Sequence, residues 1–68
     1  MIPTARKLRE RCAGLQLPRY QLGARVGVHP ARLGSYLAGR LPMPADVAVR
    51  IDGVLRELEQ REHQDVTA

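Results

Sequence analysis

The stretch that decides the fold is Arg19 to Ala38, RYQLGARVGVHPARLGSYLA. Leu22 and Val26 stand four apart, which puts both on one face of a helix running from Pro18 to Val26. Pro18 suits the first turn of that helix, where its missing N–H costs nothing. Gly27 breaks the pattern and Val28 is apolar. His29-Pro30 then opens a short third helix that extends through Leu37, with Leu33 and Tyr36 facing inward. Two helices separated by only Gly27, Val28 and His29 must cross steeply, and a glycine permits so tight a turn; this spacing predicts a helix-turn-helix.

Upstream, Ala5, Leu8 and Cys12 recur at helical spacing between Thr4 and Ala13, with Thr4 as the expected N-cap and Gly14 as the expected stop. Leu15 and Leu17 are apolar connectors. Downstream, Gly39 ends the third helix, and Leu41-Pro42-Met43-Pro44 cannot be regular helix because each proline restricts the residue before it. A last helix is expected from Pro44 or Ala45 to about Arg61, carrying Val47, Ala48, Ile51, Val54, Leu55 and Leu58 at spacings of three and four. Such a helix is roughly 25 Å long, more than so small a domain needs for its own core. Its far end, with Val54, Leu55 and Leu58, is therefore expected to meet a second copy, the alternative being that Leu55 and Leu58 fold back on the domain. The expected architecture is all-α, with four or five helices and an extended C-terminal one, in a single domain over 1–62 followed by a disordered tail at 63–68.

Sixty-eight residues lie near the lower limit for independent folding without metal, disulfide or partner, which adds to the case for a homodimer. The only aromatic residues are Tyr20 and Tyr36, so the core must be aliphatic and an aromatic base-stacking sheet is excluded. Cys12 is the single cysteine and reads as a core residue. With His29 and His63 far from it, no metal-ligand spacing exists. No apolar run approaches the roughly 18 residues of a membrane span, and no secretory signal core follows the N-terminal cations, so a cytoplasmic protein is expected. No cofactor and no small-molecule ligand is indicated. No nucleophile, paired base or metal-ligand cluster accompanies Asp52 or the carboxylates between Glu57 and Glu62, so these read as solubilising charge and an enzyme is not expected.

The net charge of +4 conceals an asymmetry. Residues 1–41 hold eight cations against the single acid Glu10, a net +7; residues 42–68 hold three cations against six acids, a net −3. That division suggests one surface offered to a polyanion and another turned away from it. Arg6, Lys7, Arg9 and Arg11 belong either to that surface or to a merely solvated helix face.

Arg19 to Ala38 resembles the helix-turn-helix of the phage repressor and Cro-like family. Leu22, Val26, Val28, Leu33 and Tyr36 fall where that family places apolar residues, Gly23 where it needs a small one, and Gly27 at its turn glycine. The likeness extends from about Leu8 to Leu58, and departs at Pro18, Arg19 and Leu37, where the family often has Ser, Gln and Glu. It implies a lambda-repressor-like domain that binds double-stranded DNA as a small prokaryotic or phage transcriptional regulator. The helix from Pro30 to Leu37 would enter the major groove, and a homodimer would read an inverted repeat.

Pro30, Ala31 and Ser35 then fall at base-reading positions. Ala31 suits a thymine methyl, and Ser35 a base edge or a phosphate. Arg32 is the long donor of this face, for guanine or for phosphate. Arg19 and Tyr20 at the start of the second helix, and Arg40 beyond the third, are expected at the DNA backbone. His29 is either a phosphate donor or a helix cap. The same fold also serves as an antitoxin or a restriction-system controller, and a protein-binding adaptor is a third reading. The resemblance does not choose among them.

Overall fold

The computed structural model describes residues 3–67, with side chains through 61. Four helices account for nearly all of it: α1 (Ala5–Gly14), α2 (Arg19–Val26), α3 (Pro30–Leu37) and α4 (Ala45–Thr67), with no strand among the described residues. α2 packs on α3 and α4, and α1 packs on α3 and α4, so the two short helices of the turn are held from behind by α1 and the long C-terminal helix.

Local chemistry fixes each boundary. Thr4 Oγ1 accepts from the Lys7 amide at 3.2 Å and starts α1, as its sequence position predicts. The stop differs. Gly14 is the last helical residue, and the left-handed position falls two residues later at Gln16, with φ of 54°. The amide of Leu17 donates to the Cys12 carbonyl and that of Gln16 to Ala13, at 3.0 and 3.1 Å, a Schellman closure built without glycine. Half-buried Leu15 and Leu17 pack on the core and hold the chain there. α2 starts at Arg19 with Pro18 as its N-cap, one residue later than the sequence predicts. At the end of α3, Gly39 takes φ of 79° and the amide of Arg40 donates to the Ser35 carbonyl at 2.9 Å, closing the helix where expected.

The helix-turn-helix depends on two glycines. Gly27 caps α2 in the left-handed region, φ 75°, and both its amide and that of Val28 donate to the Gly23 carbonyl, at 2.8 and 3.0 Å. Gly23 meets a separate, steric demand. A Cβ there would lie 2.5 Å from the Val28 carbonyl oxygen and 3.6 Å from Pro30, so only glycine lets the turn fold back against α2.

The core is entirely apolar among the described residues. Leu8 and Cys12 come from α1, Leu22 and Val26 from α2, Leu33 and Leu37 from α3, and Val47, Ala48, Ile51 and Leu55 from α4. Three sequence expectations are corrected here. Leu37, which the spacing does not single out as inward, is buried in α3 with Leu33 and Gly34, whereas Tyr36 packs against the core only half-buried. Leu55, expected at a dimer interface, is fully buried in the protein's own core, because α1 lies along this part of α4. Of the three expected interface residues, Val54 and Leu58 remain partly exposed. α4 also continues to Thr67 rather than ending near Arg61. No Gly or Pro interrupts residues 62–67, and the backbone of most of the expected tail is therefore helical. Position 68 and the side chains of 62–67 lie outside the described residues. Burial pushes the Cys12 thiol above its ordinary pKa, so it stays protonated and unreactive in the core.

α1 is clamped to α4 by charge. The Arg11 guanidinium donates to both Glu59 carboxylate oxygens, at 2.7 and 3.0 Å, and to Asp52 Oδ1 at 2.6 Å, while Arg56 pairs with the other oxygen of Asp52 at 3.1 Å. These residues are part of the scaffold, not the free surface charge that their sequence positions suggest. The Arg11 hydrogen bonds hold the Asp52 and Glu59 carboxyls below their ordinary values of 3.8 and 4.5.

A folded-state pKa below the unfolded one gives stability that is fully present above the ordinary carboxylate range and is lost as pH falls through the lowered values. Thermal stability should accordingly decline below about pH 4.5 as these carboxyls protonate. Arg11→Met should cost about 1 kcal/mol at pH 7, since the cluster is only partly buried, and should flatten the acid limb. Melting curves of both proteins between pH 3 and 7 would check this, and parallel acid limbs would count against it.

Candidate nucleic-acid interface

α3 presents one line of exposed surface, set by its period. Ala31 and Ser35, four apart, form the outward ridge; Gly34 lies to one side of it and Arg32 to the other. Each flank opens into a shallow hollow. On the first, Pro18, Arg19 and Tyr20 at the start of α2 face Pro30 and Ala31 at the start of α3. On the second, His29, Arg32 and Tyr36 stand over Val28 and Val47. Ala31 borders both, so the first turn of α3 is the ridge between them.

The expected contact residues occupy this surface in different ways. Tyr20 is 63% exposed, a large side chain left in water at the start of α2. Arg32 and Arg40 are exposed, Arg40 directly after the left-handed Gly39. Pro30 is half-buried as the first residue of α3. His29 is the α3 cap: its Nδ1 accepts from the Ala31 amide at 3.1 Å. That bond occupies only Nδ1 and leaves Nε2 as the ring nitrogen available to a further partner, so the two roles open in the sequence are compatible. Ser35 Oγ donates to the Ala31 carbonyl at 3.3 Å, which leaves its oxygen as an acceptor toward solvent.

At the start of α2, Pro18 brings no capping side chain, so the amides of the first turn have no side-chain acceptor. Their partial positive charge and the adjacent Arg19 favour an anion there. Arg19 itself is bent across α3. The three nearest atoms to a Cβ built on Gly34 all belong to it: Nη1 in close contact, Cδ at 3.3 Å and Cζ at 3.4 Å. Gly34, which its sequence position places on the outward face, is buried under this arginine. Sequence reasoning missed the arrangement because Arg19 and Gly34 belong to different helices. The one available signal was a glycine inside a helix whose φ does not require it.

Charge is sorted over the molecule. Every acid among the described side chains is paired: Glu10 with Arg6, Asp46 with Arg50, Asp52 and Glu59 with Arg11, and Glu57 with Arg61. Among the described residues the cations without a carboxylate partner are Lys7, Arg9, Arg19, Arg25, Arg32 and Arg40, all before α4. Among the described side chains, positive charge without a carboxylate partner is therefore confined to α1–α3 and the residues that follow them, whereas every cation of α4 is paired and its surplus acid is met by Arg11 of α1. Comparison with known family models, curated proteins and solved structures finds no match.

Proposed function

We propose that this protein binds double-stranded DNA through the helix-turn-helix of α2 and α3, with α3 in the major groove, and acts as a small transcriptional regulator. The observation that carries the reading is the charge sorting. Arg19, Arg32 and Arg40, cations that no internal acid neutralises, lie on or beside a narrow, small-residue helix ridge of a width that B-DNA's major groove admits. Tyr20, the α2 amides and Arg40 serve as phosphate contacts that set register. Ala31 meets a thymine methyl, Ser35 Oγ accepts from a base edge, and Arg32 contacts a base edge or the adjoining backbone. His29 Nε2 supplies one further donor.

A second copy of the chain joins through α4. Val54 and Leu58 give the partly exposed apolar stripe for that contact, without Leu55. Two such domains related by a two-fold axis would place their α3 helices in successive major grooves, roughly 34 Å apart, on an inverted repeat.

The joint substitution of Arg32 and Ser35 by Ala tests the DNA reading against a protein-binding adaptor. Both side chains are outside the core, so the variant should keep the native circular dichroism spectrum and melting temperature. Its affinity for a duplex selected by the native protein should fall about 10- to 100-fold. Unchanged affinity in the folded variant would remove α3 from the contact surface.

A further inference from the structure

Arg19 has a second role that its place at the start of α2 conceals. The geometry points to Arg19 as the base-reading donor of the α3 surface, held over Gly34 so that its guanidinium takes a guanine in the major groove. The inference rests on the DNA reading above and assigns to that site the base it prefers.

α3 is poor in donors of its own. Pro30 has no N–H, Ala31 and Gly34 have no polar side chain, and the Ser35 hydroxyl is committed to the Ala31 carbonyl. Arg32 is the long donor that α3 does supply, and it borders the hollow on the far side of the ridge with His29 and Tyr36. The near side receives its donor from the neighbouring helix. Nη1, Cδ and Cζ of Arg19 all lie against Gly34, one turn into α3 from Pro30. The guanidinium is thus placed beside the part of the helix that would meet base edges, rather than splayed toward the backbone.

Such placement requires glycine, because any Cβ at position 34 would occupy the space of the arginine. It also reduces the entropy lost when a long side chain is fixed on its target. A planar fork of N–H donors matches the O6 and N7 acceptors of guanine, a fit that lysine's point charge cannot reproduce.

The experiment is a selection of bound duplexes from a random pool by the native protein. Affinities then follow for the selected site and its single-base variants, using the native chain, R19A, R19K and G34A. The native protein should prefer guanine at one position of each half-site by about 10- to 100-fold. R19A and R19K should lose most of that preference while keeping the others.

G34A is the sharper probe. Only the flexible end of Arg19 must move to admit its Cβ, and alanine favours helix over glycine, so G34A should melt no lower than the native protein yet share the R19A defect. If R19A instead weakens every sequence equally and lowers the salt slope by about one, Arg19 is a phosphate contact and the inference fails. Retention of the guanine preference in G34A would also overturn it. A native chain that binds no duplex would overturn the DNA reading itself, an outcome distinct from both.

Discussion

Gly23→Ala should remove most of the protein's stability at 25 °C. The added Cβ would sit 2.5 Å from the carbonyl oxygen of Val28, a backbone atom that cannot turn aside as a side chain can. Relief requires the α2–α3 turn to open, which stretches the bonds from the Gly27 and Val28 amides to the Gly23 carbonyl and lifts Leu33 from its site. The expected cost is about 3 kcal/mol, at the upper end for overpacking, because the obstruction is rigid. A single core in a chain of this size rarely supplies more than about 3–5 kcal/mol, so little stability would remain. Gly53→Ala is the matching control. Nothing lies within 4 Å of its Cβ, and it should raise stability by roughly 0.5–1 kcal/mol through helix propensity alone. Urea unfolding of the two variants beside the native chain would separate steric need from propensity; equal stabilities would refute the steric account of Gly23.

Leu55→Ala should be comparably damaging, at about 3 kcal/mol. Leu55 is 0% exposed and belongs to the same cluster as Leu8, Leu22, Leu33 and Ile51, so truncation leaves a cavity between α4 and the helices packed on it. The loss relative to the native protein should be the same in dilute and concentrated solution, because the cavity lies within one protomer. Leu58→Ala, half-exposed on the same helix, should cost under about 1 kcal/mol of protomer stability. Any concentration dependence of melting should be reduced in that variant instead. Sedimentation and melting across a hundredfold range of concentration would check both, and rescue of Leu55→Ala at high concentration would restore Leu55 to an interface.

These two residues show what the sequence made legible and what it did not. The helix-turn-helix was readable because its determinants are local: apolar residues at 22, 26, 28, 33 and 36, a glycine between the helices, and a proline opening the second of them. Tyr36 packs against the core as expected, but the burial of its neighbour Leu37 was missed because adjacent positions near the edge of an apolar stripe differ by only 100° around the helix. Leu55 was misplaced for a different reason. Whether the far end of a long amphipathic helix is covered depends on where another helix packs, and nothing local to α4 records where α1 runs.

The Arg11 cluster joins residues more than forty positions apart, so each member resembles ordinary surface charge until the fold brings them together. Gln16 performs a task usually given to glycine, so composition located the end of α1 at Gly14 but not the left-handed residue that closes it. The candidate site divides along the same line. The exposed residues of α3 follow from its period, while the seating of Arg19 on Gly34 is a contact between helices that only the packed structure displays.

The charge sorting matters most if the target is a polyanion, and binding as a function of salt tests that claim most directly. Each phosphate neutralised contributes about −0.9 to the slope of log K against log salt. Backbone engagement by Arg32 and Arg40 thus predicts a slope of roughly −2 for one protomer and −4 for a two-fold pair. Fluorescence anisotropy of a labelled duplex between about 50 and 300 mM salt should show tight binding at the low end and that steep decline. A slope near zero, or no binding at the lowest salt, would contradict the account.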